Sequence, residues 1–246
     1  DERMKDGFRI ALLISGGGTT AVAIIEACNS CRLKGIVPAC VIASRPDAGG
    51  IERVKAAGMN PADVLIIPPT DFSSPLEFGK AIVAACRQRE VTFVGQYGWL
   101  SKTPLNVIEA FKGMMVNQHP GPLDPGRPDF GGKGMFGRRV HCARLFFVRK
   151  TNRDFWSEAT AQRVAEEFDK GAMVKTKTVP ILQNDTVETL QARMLPEEHK
   201  VQIETLEDFA AGRIHEFVRG MPLVRFGEEV ILEEAKRFAI HSFPEG

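Results

Sequence analysis

This chain lacks most of the features that would place a protein in a special class. It has no excess of charge: 32 lysines and arginines face 31 acids, a net charge of +1. No whole-protein field draws in a polyanion, so nucleic acid is not an expected partner. No apolar run approaches the roughly 18 residues that suggest a membrane span. Residues 1–6 are polar and charged, and no apolar signal segment follows them. A cytoplasmic protein with no membrane role is expected. Cysteine is sparse: Cys28, Cys31, Cys40, Cys86 and Cys142 are an odd number scattered through apolar segments, which fits reduced core thiols better than a disulfide framework. Cys28 and Cys31 have the spacing of half a metal site, but no second Cys or His pair completes it, so no metal is expected. Internal repeats are absent, and no shift of composition marks a second domain.

What remains is a globular chain of 246 residues, 43% hydrophobic, long enough for a sizeable core. Residues 8–15 are a short continuous apolar run before three glycines, the pattern of a buried parallel strand entering a tight turn. Helix and strand then alternate: helix 20–31, strand 36–43, helix 50–57, strand 64–67, helix 75–89, strand 92–95, helix 104–111 and strand 114–117. That alternation predicts a Rossmann-like α/β fold, a mostly parallel twisted sheet with helices on both faces. Residues 121–134, rich in Gly and Pro just past a strand end, read as a loop and an active-site wall.

Beyond the loop, 135–150 reads as a basic amphipathic helix. Arg138, Arg139, Arg144, Arg149 and Lys150 form its solvated face. Strands are expected at 159–168 and 173–182, then a long helix over 186–212 broken or kinked at Pro196. The remainder suggests short strands at 215–218, 223–226 and 230–232 with a loose end. The expected organisation is a catalytic domain over 1–213 and an extension, 214–246, packed on it.

Three constellations could carry chemistry. Gly16, Gly17 and Gly18, with the hydroxyls of Thr19 and Thr20, lie where a strand enters a helix. Exposed amide N–H groups and the positive helix end there suit a phosphate. The dinucleotide fingerprint Gly-x-Gly-x-x-Gly is missing, because Ala21 takes the third glycine's place, so a nicotinamide cofactor loses support. Asn117 and His119, two apart at a strand end, project to one side. An amide donor and a titratable imidazole together suit a developing oxyanion. Asp169, in Asp-Lys-Gly, places a carboxylate in a turn between two strands, and near an imidazole it would favour the protonated ring. Each feature also has a plain structural reading: a tight turn, a hydrogen-bonded strand-end histidine and an Asx turn.

In this order, the motifs make the chain similar to the folate-dependent formyltransferases, and among them to the glycinamide ribonucleotide transformylases of purine synthesis. Residues 13–20, Leu-Ile-Ser-Gly-Gly-Gly-Thr-Thr, resemble that family's opening, and the likeness runs to about Arg213. The resemblance implies formyl transfer from 10-formyltetrahydrofolate, a co-substrate, to a small phosphorylated amine, glycinamide ribonucleotide. It implies catalytic roles for Asn117, His119 and Asp169, and phosphate binding at the glycine turn with Glu198 as a further substrate contact. Folate would lie along Tyr97, Gly98, Trp99 and Leu100 and beside Glu167 and Phe168, before Asp169.

The chain departs from the family at Gly121-Pro-Leu-Asp124, which rebuilds the wall of the site. It also departs at Gln162, where a histidine is common, while a hydroxyl survives at Thr160. Two alternatives fit the same residues: transfer to another amine, such as a nucleotide-linked amino sugar, and a catalytically silent nucleotide-binding homologue. A homodimer is compatible with the exposed end of the extended helix.

Overall fold

The computed structural model of the protein describes residues 7–246, so the polar segment 1–6 lies outside the described residues. The chain divides into two compact units, residues 7–118 with 202–214 and residues 119–201 with 215–246.

The first unit has a parallel sheet in the order β3-β2-β1-β4-β5, made of β1 (Phe8–Ile14), β2 (Ile36–Ala43), β3 (Val64–Ile66), β4 (Phe93–Gln96) and β5 (Met115–His119). Order and direction follow from the connections. Helices α1 (Thr19–Asn29), α2 (Gly50–Ala56), α3 (Pro75–Arg87) and α4 (Leu105–Ala110) each carry the chain back so that the next strand runs parallel. Strand β1 sits between β2 and β4, and from Ile10 to Ile14 it is fully buried, which explains its unbroken apolar run. Helix α3 starts cleanly, with Pro75 in its first turn and Ser74 Oγ accepting from Glu77 N at 3.2 Å. The last residue of β5, His119, opens the second unit.

The second unit contains an antiparallel hairpin, β6 (Trp156–Arg163) and β7 (Met173–Pro180). Strand β6 is buried on both faces from Ser157 to Gln162. The register shifts between Ala161 and Gln162, an irregularity of the kind that re-aims a side chain. Helix α5 (Arg138–Thr151) lies beside α7 (Glu229–Ser242). Between them Leu232, Ala235 and Ala239 close over Phe130, Met135, Val140, Cys142, Ala143 and Phe147.

Several expectations are corrected. Strand β6 ends at Arg163, so residues 164–172 form the hairpin turn rather than a strand continuing to 168. Helix α6 (Val187–Ala210) runs unbroken through Pro196. Leu190, Met194 and Val201 are fully buried on it, and burying three such side chains outweighs the roughly 3 kcal/mol that an interior proline costs. The tail has one isolated bridge, Phe217 with Met173, in place of three strands. The run Val230-Ile-Leu232, expected as a strand, belongs to α7, whose buried Leu232, Ala235 and Ala239 recur at helical spacing.

The basic face of α5 is not all solvated either. Arg144 is fully buried, donating Nε to Trp156 O at 2.8 Å and Nη2 to Asp154 O at 2.9 Å. Its guanidinium lies over the rings of Phe130 and Trp156, and burial lowers its pKa to about 9. Arg138 and Arg139 donate to carbonyls of Phe243, Pro244 and Gly246 at the end of the chain. Among the described residues, no helix is long and apolar enough to cross a membrane.

Candidate active site

In the first unit, the glycine turn is shaped by close backbone approach. Gly18 caps α1 in the left-handed region, φ 65°, and a Cβ there would stand 2.9 Å from Gly50 Cα. Gly50 N donates to Gly16 O at 2.9 Å, and Arg53 Nη1 donates to Gly17 O at 3.0 Å. The turn is thereby braced from α2, with Gly16, Gly17 and Thr19 open to solvent and Gly18 and Thr20 buried. Gly16 and Gly17 face solvent just ahead of the N-terminus of an 11-residue helix, a geometry suited to an anion.

Residues 97–100 sit beside this turn. Ser15 N donates to Gly98 O at 3.0 Å, and Leu100 N donates to Ser15 Oγ at 2.9 Å. Ser15 Oγ also lies 2.6 Å from Ser44 Oγ. The four expected folate contacts divide. Gly98 and Leu100 are exposed, whereas Tyr97 and Trp99 are buried, the indole stacked on Phe78 of α3. Among the described residues, Tyr97 Oη and Trp99 Nε1 have no hydrogen-bond partner.

Asn117 and His119 both belong to β5, two residues apart on one face of the strand. Asn117 is half-buried, and His119 is 2% exposed. His119 and Asp169 meet in the second unit, where Nδ1 stands 3.6 Å from Oδ2. That is within ion-pair range for a protonated ring, though longer than a hydrogen bond. His119 Nε2 is buried without a hydrogen-bond partner among the described residues, which leaves that nitrogen for a substrate atom.

Asp169 is held on both oxygens. Gly132 N donates to Oδ2 at 2.9 Å, and Gln162 Nε2 donates to Oδ1 at 2.8 Å. Asp169 has φ 59°, a left-handed conformation that Asp accepts more readily than most residues. Gly171 follows because a Cβ there would collide with Arg163 O at 1.8 Å. The Asp-x-Gly signature is therefore partly the signature of the hairpin turn. Gln162 thus holds one oxygen of the carboxylate, and Thr160 Oγ1 donates to Gly121 O at 2.9 Å.

The loop over 121–134 contains no helix or strand, as expected, and the tail binds it. Arg219 Nε donates to Leu123 O at 2.7 Å, while its Nη2 reaches both oxygens of buried Glu158 at 2.8 Å. Arg127 Nη2 donates to Asp124 Oδ1 and to Arg219 O, and Leu223 N donates to Asp124 Oδ2. Sequence reasoning missed these tail contacts and Lys236, which falls in the segment expected to be a loose end. It also passed over His141 of α5, buried and close enough to His119 to feel its charge. Burial, and second the charge of His119, hold its pKa down at about 4.

The remaining candidates are dispersed. Glu167 and Phe168 are exposed in the hairpin turn. Glu198 of α6 is only 5% exposed and is not part of a solvated helix face. Cys28 and Cys31 are free thiols, the former with its pKa raised to about 11 by burial. Among the described residues, no cluster of three or more His, Cys, Asp and Glu is placed to hold a metal ion.

The family model described as formyl transferase matches residues 8–206. The chain is 33% identical over 222 residues to the chloroplastic phosphoribosylglycinamide formyltransferase of Arabidopsis thaliana, covering 88% of this chain and 70% of that protein. It is 31% identical over 209 residues to the phosphoribosylglycinamide formyltransferase of Haemophilus influenzae, covering 84% and 89%. The crystal structure of glycinamide ribonucleotide transformylase 1 from Symbiobacterium toebii superposes with a TM-score of 0.73 at 30% identity, covering 88% of this chain and 92% of that one.

Proposed function

Since the chain belongs to the formyl transferase family, we propose that it transfers the formyl group of 10-formyltetrahydrofolate to the amine of glycinamide ribonucleotide, a step of purine biosynthesis. The observation that carries this reading is the buried His119–Asp169 pair, with His119 Nε2 lacking a hydrogen-bond partner among the described residues. An imidazole backed by a carboxylate on one nitrogen and open on the other stabilises negative charge on a substrate oxygen.

The neutral amine nitrogen forms a bond to the formyl carbon, and the carbonyl electron pair moves onto oxygen. Asn117, through its amide N–H, and protonated His119 donate to that oxyanion. Asp169 keeps the imidazole oriented and, through water, accepts the proton that the amine nitrogen loses. The oxyanion then collapses, the bond from carbon to folate N10 breaks, and N10 takes up a proton. The chemistry on the carbon thus needs two donors and one proton acceptor.

Phosphate binding is assigned to Gly16, Gly17, Gly18, Thr19 and Thr20, supported by the helix end that follows them. Glu198, buried on α6, is assigned to the glycinamide group, as the family resemblance implies. The exposed residues Gly98, Leu100, Glu167 and Phe168, with buried Tyr97 and Trp99, are assigned to the folate. Purified protein should consume 10-formyltetrahydrofolate in the presence of glycinamide ribonucleotide and release formylated product. Turnover with a nucleotide-linked amino sugar but none with glycinamide ribonucleotide would replace this acceptor.

A further inference from the structure

The peptide bond joining Gly131 to Gly132 is gripped at both ends. Its carbonyl oxygen, on Gly131, accepts a hydrogen bond from Lys236 Nζ at 2.9 Å. Its N–H, on Gly132, donates at 2.9 Å to Asp169 Oδ2, the oxygen that stands 3.6 Å from His119 Nδ1. Hydrogen bonds in series polarise one another. An ammonium on the carbonyl draws electron density out of the amide and makes the N–H at the other end a better donor to the carboxylate.

The backbone here admits no side chain in the way. Gly132 has φ 103°, and a Cβ on Gly131 would stand 2.6 Å from Asp169 Cβ. Lys236 lies on α7, beyond the residues 8–206 matched by the family model. The helix is fixed in place by buried Leu232, Ala235 and Ala239. Buried Asp129 and, on the same helix, Glu233 face the ammonium with favourable charge, Lys170 opposes it, and Asp169 attracts it.

We propose that Lys236 is a positioning residue for Asp169: through the Gly131–Gly132 peptide it orients and polarises the N–H that holds the carboxylate beside His119. The inference rests on the assignment of Asp169 to formyl transfer. It gives the C-terminal helix a part in the reaction through the Gly131–Gly132 peptide.

The test compares Lys236→Met, Lys236→Arg, Asp169→Asn and the double variant Lys236→Met/Asp169→Asn, measuring kcat, both KM values and the amide resonance of Gly132. Lys236→Met should lower kcat on the order of tenfold with both KM values within about twofold. Arginine, which keeps a charged donor, should restore most of the loss. The Gly132 amide proton should move upfield in Lys236→Met and return in Lys236→Arg. In the Asp169→Asn background the methionine substitution should cost nothing further. Wild-type kcat in Lys236→Met, an unmoved Gly132 resonance, or an equal loss with and without Asp169 would each overturn the role of Lys236. If Asp169→Asn is inactive while Lys236→Met is unaffected, the reading of the site stands and only the lysine falls. Full activity in Asp169→Asn overturns both.

Discussion

Gly131 and Asp169 are packed so closely that a Cβ on the glycine would stand 2.6 Å from the aspartate's own Cβ, with Leu123 Cδ2 equally near on another side. The glycine is needed for space, since both neighbours belong to the buried part of the second unit. Gly131→Ala must push Asp169 off its position beside His119. We expect kcat to fall by at least tenfold, because small displacements of a reacting group are costly. The fall should come with little change in the KM for either substrate. Steady-state kinetics on the folded variant checks this.

Removing the groups assigned to the oxyanion should cost more. Loss of one preorganised donor typically raises the barrier by about 3–4 kcal/mol, so Asn117→Ala and His119→Ala should each slow turnover on the order of a hundredfold to a thousandfold. Wild-type-like turnover in both variants would remove them from the mechanism.

The glycine turn offers a separate test. Gly18 has φ 65° and lies against Gly50 Cα, so Gly18→Ala meets both backbone strain and a clash. The KM for the phosphorylated acceptor should rise by about tenfold or more, and the KM for the folate should change less. An equal rise in both would argue that the turn does not hold the phosphate.

Glu158 and Arg219 form a buried ion pair, with side chains 2% and 15% exposed. Arg219→Met would leave the carboxylate uncompensated, at a cost of roughly 3–5 kcal/mol. For a chain of this size that is roughly 6–20 °C in Tm. The double variant Glu158→Leu/Arg219→Met should recover much of the loss, because burying neither charge is cheaper than burying one. Calorimetry on the three variants decides it.

The pH dependence of stability should show His141. Its folded pKa is held down at about 4 against an ordinary value of 6.5. As pH falls, the unfolded chain therefore binds the proton first. The stabilisation is complete above pH 6.5 and is lost between there and about pH 4. The drop across that window should be about 3 kcal/mol. His141→Gln should flatten this part of the curve in denaturant titrations, and an unchanged curve would mean that another group is responsible.

Much of the fold is legible in the residues. The apolar runs and helical periodicities that predict five parallel strands all correspond to elements of the structure, with strand ends shifted by at most two residues. Burial on both faces writes itself into composition, as in Ile10–Ile14. The tail was not legible, since Val230-Ile-Leu232 has the local composition of a strand. Only contact with α5 shows that Leu232, Ala235 and Ala239 form one helical face.

For the site, sequence alone determined which residue types stand at which turn and strand end: the three glycines, Asn117 with His119, and Asp169 with its glycine. Strand and turn chemistry are local, and spacing reveals them. Tertiary structure alone decided what surrounds them: Gln162 and the Gly132 N–H on the two oxygens of Asp169, and Lys236 behind that peptide. Residues 37 and 67 positions apart in the chain with 169 leave no periodic trace. A lysine aimed at a buried carbonyl has the same sequence pattern as one aimed at water. The physical difference between them is burial, which depends on every element packed around it.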